Sequence, residues 1–124
     1  MLKSIFLVAS GSALGGALRF LVGRVASGMM PGHFPLGTFL CNITGCFLIG
    51  IIYALSDKYN WMSPNMRLLL AVGLCGGFTT FSSFIRENAE LARQDLAVMF
   101  LYAGTSLLVG FMVLYLGYYL IKAI

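Results

Sequence analysis

Charge is what this sequence has least of. Only 10% of its 124 residues are Asp, Glu, Lys or Arg, whereas a soluble domain carries roughly a quarter. Hydrophobic residues make up 60% of the chain, and its mean hydropathy is +0.92. The composition excludes an ordinary soluble protein and predicts an integral membrane protein within the lipid bilayer. The net charge of +4 is spread thinly along the chain, so nucleic-acid binding is not expected.

Carboxylates are missing from most of the apolar sequence. No Asp or Glu lies within residues 4–55 or 96–121, and Glu87 follows the apolar part of the third hydrophobic segment. A proton-coupled exporter of cations needs a carboxylate at membrane depth, so this absence argues against one. Three cysteines lie in apolar segments without zinc-binding spacing, and we expect small hydrophobic residues rather than a disulfide framework. They are Cys41, Cys46 and Cys75.

Four apolar segments are long enough to cross a membrane, which takes roughly 20 mostly apolar residues. We predict transmembrane helices at about 4–23, 36–55, 66–93 and 96–121, the third broken at 76–80. The connecting segments are too short for a soluble domain, so residues 1–124 are predicted to form a single all-α transmembrane domain. The first run contains Arg19 and is interpreted as a retained helix rather than a signal peptide.

Small residues are frequent, with 15 glycines in the chain. Gly11 and Gly15 lie four apart on the first predicted helix, a spacing that favours close helix packing. This pair predicts a tight helix contact, either within one subunit or between two.

The charges that flank the helices are evenly divided. Four helices place both termini on one side of the membrane. The cations on that side are Lys3, Lys58, Arg67 and Lys122, and those on the other side are Arg19, Arg24, Arg86 and Arg93. Lys and Arg normally fix the orientation of a membrane protein. Four cations on each side predict insertion in both orientations and hence an antiparallel homodimer. The alternative is that one or two arginines lie too deep in the membrane to affect orientation, which would leave a weak preference.

The stretch "GLCGGFTTFSSF", residues 73–84, predicts a broken helix. Gly76 and Gly77 are poor helix formers and are followed by Thr79 and Thr80. A break frees backbone carbonyls, which a membrane tolerates only where they are buried in protein or line a cavity. Such carbonyls commonly hold cations in transporters, so carbonyls from both subunits of an antiparallel dimer would surround a small monovalent cation. The alternative is a glycine kink packed by phenylalanines.

Several side chains near the break suit a weakly held anion. Phe81 and Phe84 project from one face of the third helix, and the positive edges of their rings can face an anion that has lost its water. Neutral donors share faces of the neighbouring helices: Thr38 and Asn42 on the second, Tyr102 and Ser106 on the fourth. Without a fixed positive charge, these groups would release an anion, as conduction requires. Ordinary interhelical packing also accounts for these polar residues.

Three motifs together carry a resemblance to a known family. They are "GGALRF" (residues 15–20), "GTFLCNITGCFLIG" (37–50) and "GLCGGFTTFSSF" (73–84). With these motifs in this order, the sequence resembles the Fluc (CrcB) fluoride channel family over essentially the whole chain. The resemblance implies a passive, fluoride-selective channel, not an enzyme, that lowers cytoplasmic fluoride from the bacterial inner membrane. It also implies a dual-topology homodimer with two antiparallel pores and a central sodium ion.

The resemblance also assigns roles to residues. The sodium ion would be held by the backbone carbonyls of Gly76 and Thr79. The fluoride pathway would comprise Asn42, Phe81, Phe84, Tyr102 and Ser106, and from their hydroxyls we assign Thr38 and Ser83 to the same pathway. Arg19 and Glu87 would lie at the vestibule. For Arg19 the alternative is a side chain that snorkels from near the helix end, and for Glu87 we favour a solvated helix charge. Ile85 and Arg86 depart from the common pattern of the family, and Gly110 stands where the polar track would offer another hydroxyl. The alternative function is a small dual-topology exporter of organic cations, which resembles the small multidrug resistance family.

Overall fold

The computed structural model describes residues 1–29, 32–60 and 62–124, and most of them are helical. The helices are α1 (Leu2–Met29), α2 (Leu36–Lys58), α3 (residues 64–78), α4 (Phe81–Gln94) and α5 (Leu96–Ala123). Four stretches are long and apolar enough to cross a membrane: α1, α2, α5, and α3 with α4 taken together as Pro64–Gln94. The prediction of an all-α protein with four membrane-spanning helices is confirmed. The helices extend beyond the predicted bounds, because their ends carry polar residues that a hydropathy criterion leaves out.

Local signals in the sequence set several helix ends. Ser63 caps α3 by accepting a hydrogen bond from the Met66 N–H at 3.2 Å, and Pro64 follows at the first helical position, where its missing N–H costs nothing. Asp95 is extended between α4 and α5 and caps α5 by accepting from the Val98 N–H at 3.3 Å. A single non-helical residue therefore separates the last two helices.

The third membrane crossing is irregular. Within α3, Leu68–Cys75 form a π-helix, and Gly76–Phe78 return to α-helical geometry. Thr79 (φ −84°, ψ 158°) and Thr80 (φ −150°, ψ 118°) are then extended, and α4 follows. The break is narrower than the predicted 76–80, because both glycines of the Gly-Gly pair keep helical geometry.

The backbones of α1 and α3 lie in direct contact through glycines. A Cβ built on Gly11 would lie 2.8 Å from the Leu74 nitrogen, and one on Gly15 would lie 2.8 Å from the Phe78 nitrogen. Both distances are shorter than real Cβ contacts allow. The hydroxyl of Ser12 donates to the Gly73 carbonyl at 3.3 Å across the same contact. The Gly11 and Gly15 pair therefore packs α1 against α3 within one subunit.

A second close contact joins α2 to α5. A Cβ on Gly50 would lie 3.1 Å from the Tyr118 nitrogen, and one on Gly117 would lie 2.6 Å from the Phe47 carbonyl oxygen.

Outside these contacts, α1 and α5 expose many large apolar side chains, among them Phe20, Phe100, Leu108 and Phe111. Such a surface suits lipid or another subunit rather than water.

Candidate functional site

Asn42 holds the broken segment of the third crossing in place. Its Oδ1 accepts a hydrogen bond from the Thr80 N–H at 2.8 Å, and its Nδ2 donates to the Thr80 carbonyl at 3.2 Å. The side-chain amide thus pairs with an extended residue as a neighbouring strand would, which satisfies both polar groups of that residue. From the sequence, Asn42 is expected to be a donor on one face of α2. Its pairing with Thr80 joins residues far apart in the chain and has no local signal.

The same hydrogen bonds free two carbonyl groups at the break. In a continuous helix, the Thr80 N–H would donate to the Gly76 carbonyl and the Ser83 N–H to the Thr79 carbonyl. Instead, the Thr80 N–H donates to Asn42, and the Ser83 N–H donates to Oγ1 of Thr80 at 3.3 Å. The carbonyls of Gly76 and Thr79 therefore lose their helical donors. Gly76 also lies exposed on the surface of the subunit.

These backbone oxygens have the right chemistry for a hard cation, which prefers oxygen ligands. No group of three or more His, Cys, Asp or Glu side chains that would suit a metal occurs in the described ranges 1–29, 32–60 and 62–124. Any cation held near the break would therefore depend on carbonyl oxygens such as those of Gly76 and Thr79.

The two phenylalanines after the break share a face but differ in burial. Phe81 is 74% exposed and Phe84 only 9%, and their ring centroids lie 6.2 Å apart with the planes inclined by 37°. The ring of Phe84 also packs on that of Tyr102, with centroids 5.1 Å apart. Tyr102 is fully buried and contacts Phe34 on its other side. Phe84 thus belongs to an aromatic core, whereas Phe81 faces outward.

A cavity of about 320 Å³ lies beside the break, between α2, α4 and α5. Its polar and aromatic lining comes from Asn42, Cys46, Thr79, Thr80, Phe81, Phe84 and Ser106. The hydroxyl of Ser106 is buried there without a hydrogen-bond partner among the described residues. A buried hydroxyl is normally satisfied, so this one is suited to a small ligand that accepts a hydrogen bond.

Glu87 joins two of the predicted pathway residues. Its Oε1 accepts from the Thr38 hydroxyl at 2.6 Å, and its Oε2 accepts from the Tyr102 hydroxyl at 2.8 Å. The side chain is only 15% exposed, and Arg86 lies 3.9 Å from its Oε1. The interpretation of Glu87 as a solvated helix charge is therefore wrong. The extended residues at the break redirect α4, which turns Glu87 toward α2 and α5 instead of water.

A groove of about 530 Å³ lies on the other side of Thr80. Its charged and hydroxyl-bearing lining comes from Arg19, Arg24, Ser27, Thr38, Thr80, Ser83 and Arg86. Arg86 is paired with Glu90 at 2.9 Å and lies 3.9 Å from Glu87. Arg19 and Arg24 bring positive charge to the groove, and no carboxylate belongs to its described lining. Such charge attracts anions. The predicted residues occupy different places. Arg19, Thr38 and Ser83 line this groove, whereas Asn42, Phe81, Phe84 and Ser106 line the cavity. Tyr102 lines neither and is buried beside Phe84.

The fold and these two surfaces define a small multi-pass membrane protein whose polar groups converge on a broken helix. The chain belongs to the family described as "CrcB-like protein, Camphor Resistance (CrcB)", whose sequence pattern matches residues 6–118. The resemblance to this family is confirmed.

Relatives in the family match nearly the whole chain. A protein named fluoride-specific ion channel FluC from Flavobacterium psychrophilum is 39% identical over 122 residues, which cover 98% of each chain. A protein of the same name from Gloeothece citriformis is 46% identical over 119 residues, or 95% of this chain and 96% of the relative. A third, from Azobacteroides pseudotrichonymphae, is 42% identical over 121 residues, or 97% of each.

Proposed function

We propose that this protein is a fluoride-selective channel, and not an enzyme, that lets fluoride leave the cell passively across the bacterial inner membrane. Relatives that match nearly the full length are named as fluoride-specific ion channels. The observation that carries the proposal is the cavity in which the buried, unpartnered Ser106 hydroxyl lies together with Asn42 and Phe81. The comparisons give no support to an exporter of organic cations.

The chemistry of the two surfaces accounts for conduction of a small anion. The arginine-lined groove concentrates anions near the break. The cavity then offers neutral donors and ring edges, which replace water around the ion without binding it too tightly to leave. Glu87 keeps the hydroxyls of Thr38 and Tyr102 oriented beside this route. The membrane potential drives fluoride outward, so no coupled energy source is needed.

The finer part of the proposal is an antiparallel, dual-topology homodimer with two pores and a structural sodium ion at its centre. It is supported by the carbonyls of Gly76 and Thr79, which lack their helical donors. Gly76 is exposed on the subunit surface, and Thr79 is partly buried. A two-fold axis near Gly76 would bring the same oxygens of both subunits around one ion. The exposed ring of Phe81 and the balanced flanking charges also support a second, inverted subunit.

Ion efflux from liposomes tests the proposed function. Vesicles that contain the purified protein are loaded with potassium fluoride or potassium chloride, valinomycin is added, and each anion is followed with its own electrode. We expect fast release of fluoride and retention of chloride. If a well-folded protein releases no fluoride, the proposal fails.

A further inference from the structure

One face of α5 carries polar side chains, but the last position in that row is a glycine. Tyr102, Ser106 and Gly110 follow one another at intervals of four residues and share one face of the helix. The Tyr102 hydroxyl donates to Glu87, whereas the Ser106 hydroxyl is buried with no partner in the described part of the chain. Gly110 is buried too, so the last position in that row offers no donor of its own.

The sulfur atom of Cys46, on α2, lies beside Gly110. A Cβ built on Gly110 would lie 3.5 Å from Sγ of Cys46. Cys46 follows Asn42 by about one helical turn, so both lie on the same face of α2. Cys46, Asn42 and Ser106 all line the cavity beside the break. The thiol therefore occupies the place where a longer side chain on α5 would have continued the row of polar side chains.

The other two cysteines have ordinary structural environments. Cys75 is 1% exposed and lies in an apolar cluster with Ile52 and Ala71. Cys41 is also 1% exposed, and its sulfur lies 4.0 Å from the Arg19 carbonyl oxygen. Cys46 is only partly buried and borders an open cavity. Cys46 differs from Cys75 in its surroundings, because the cavity it borders combines apolar residues such as Ile49 and Leu107 with the polar groups of Asn42 and Ser106.

We propose that the Cys46 thiol supplies the hydrogen-bond donor that Gly110 lacks, so that the ion pathway continues from Ser106 to Cys46. This inference rests on the proposed fluoride conduction. A thiol is a weaker donor than a hydroxyl. A weak donor suits a position at which the anion is passed on rather than held.

Three variants test this role in the same liposome assay. We expect Cys46→Ala to lower fluoride efflux by at least about tenfold, the scale of losing one hydrogen bond to an ion. Cys46→Ser keeps a donor at the same place, so its efflux should stay within about threefold of the unmodified rate. The double variant Cys46→Ala with Gly110→Ser should recover most of the lost efflux, because the hydroxyl returns from α5. Serine fits at Gly110, since its Cβ makes only an ordinary contact at 3.5 Å.

Cys75→Ala is the matched control, because it makes the same change outside the cavity and should leave efflux per folded protein unchanged. Size-exclusion chromatography shows for each variant whether the protein still assembles. Efflux from Cys46→Ala at the unmodified rate would overturn the inference. So would a loss of efflux that neither Cys46→Ser nor Gly110→Ser repairs, since the side chain would then matter for packing. Absence of efflux from the unmodified protein would instead reject the proposed function itself.

Discussion

Phe81 and Phe84 lie three residues apart on α4 but meet different surroundings. Phe81 is largely exposed beside the cavity, whereas Phe84 packs on Tyr102 in the core. We expect Phe81→Ile to lower fluoride efflux by at least about tenfold, because isoleucine keeps apolar bulk but lacks the positive edge of the ring. Thermal stability and assembly should not change. The liposome assay and size-exclusion chromatography measure the two effects separately.

Variants of two other phenylalanines serve as controls for this prediction. Phe111 is 64% exposed on α5 and does not line the described cavity, so Phe111→Ile should conduct as the unmodified protein does. Phe84→Ile should lower both efflux and stability, since it removes a buried ring from its contact with Tyr102. Unchanged efflux in Phe81→Ile would contradict the assignment of Phe81 to the pathway. Loss of assembly in that variant would make Phe81 a packing residue.

At the level of single residues, helical spacing predicts which side chains share a face but not what they meet. The spacing places Phe81 with Phe84, and their ring centroids lie 6.2 Å apart. It also places Thr38 with Asn42, but Thr38 lines the groove and Asn42 lines the cavity. It does not predict that Asn42 pairs with the backbone of Thr80, because that contact depends on how α2 packs against the break. Helical spacing also does not predict the contacts of Glu87 with Thr38 and Tyr102, because they depend on how α4 packs against α2 and α5.

The contact between α1 and α3 depends on which glycines face it. A Cβ on Gly15 would lie 2.8 Å from the Phe78 nitrogen and closer still to the Leu74 carbonyl, whereas one on Gly16 meets nothing within 4 Å. We expect Gly15→Ala to destabilise the protein by about 1–3 kcal/mol, because α1 must move away from α3. The fraction of protein that stays folded in detergent during a temperature series measures this effect.

Gly16→Ala, one residue along the same helix, is the matched control. It introduces the same methyl group at an open position and should leave stability unchanged or slightly higher, since alanine favours helix more than glycine does. If Gly15→Ala were as stable as the unmodified protein, α1 and α3 would not be in backbone contact. Equal losses in both would point to a general effect on α1 rather than to this contact.

The elements themselves could be predicted to different degrees. Long apolar runs identify the four crossings, and Ser63, Pro64 and Asp95 mark helix starts by ordinary capping chemistry. The π-helix of Leu68–Cys75 has no comparable signal. It shifts the hydrogen bonds by one residue, and side-chain composition alone does not reveal such a shift. The Gly-Gly pair indicates a break nearby, but the extended residues are the two threonines that follow.

At the scale of the whole molecule, the cations collect at two opposite ends. At the end that carries both termini, Lys58 donates to the Ile121 carbonyl at 3.2 Å, Arg67 donates to Ser56, and Lys122 lies over the ring of Tyr118. The arginines of the groove lie toward the other end. We predict from the sequence that the remaining cations complete an even division, with four cations at each end. A subunit with the predicted distribution would have no electrostatic reason to prefer one orientation.

Removing cations from one end should therefore fix the orientation of the subunit. We expect Lys3→Ala with Lys122→Ala to place the termini outside the cytoplasm, because two cations then remain at that end against four at the other. Arg93→Ala should place them inside, because three cations then remain at the other end against four, and this change leaves the arginines of the groove in place. A reporter fused after Ile124 that is active on only one side of the membrane measures orientation. The unmodified chain should give a signal from both sides.

The two variants that insert in a single orientation also test whether the conducting dimer is antiparallel. Each variant alone inserts in one direction only, so it cannot supply an inverted partner, and cells that express it should be sensitive to external fluoride. Cells that express both variants contain subunits of each orientation and should recover resistance, because inverted pairs can form again. Full resistance from either variant alone would contradict the antiparallel dimer, since a parallel pair or a single subunit would then be sufficient for conduction.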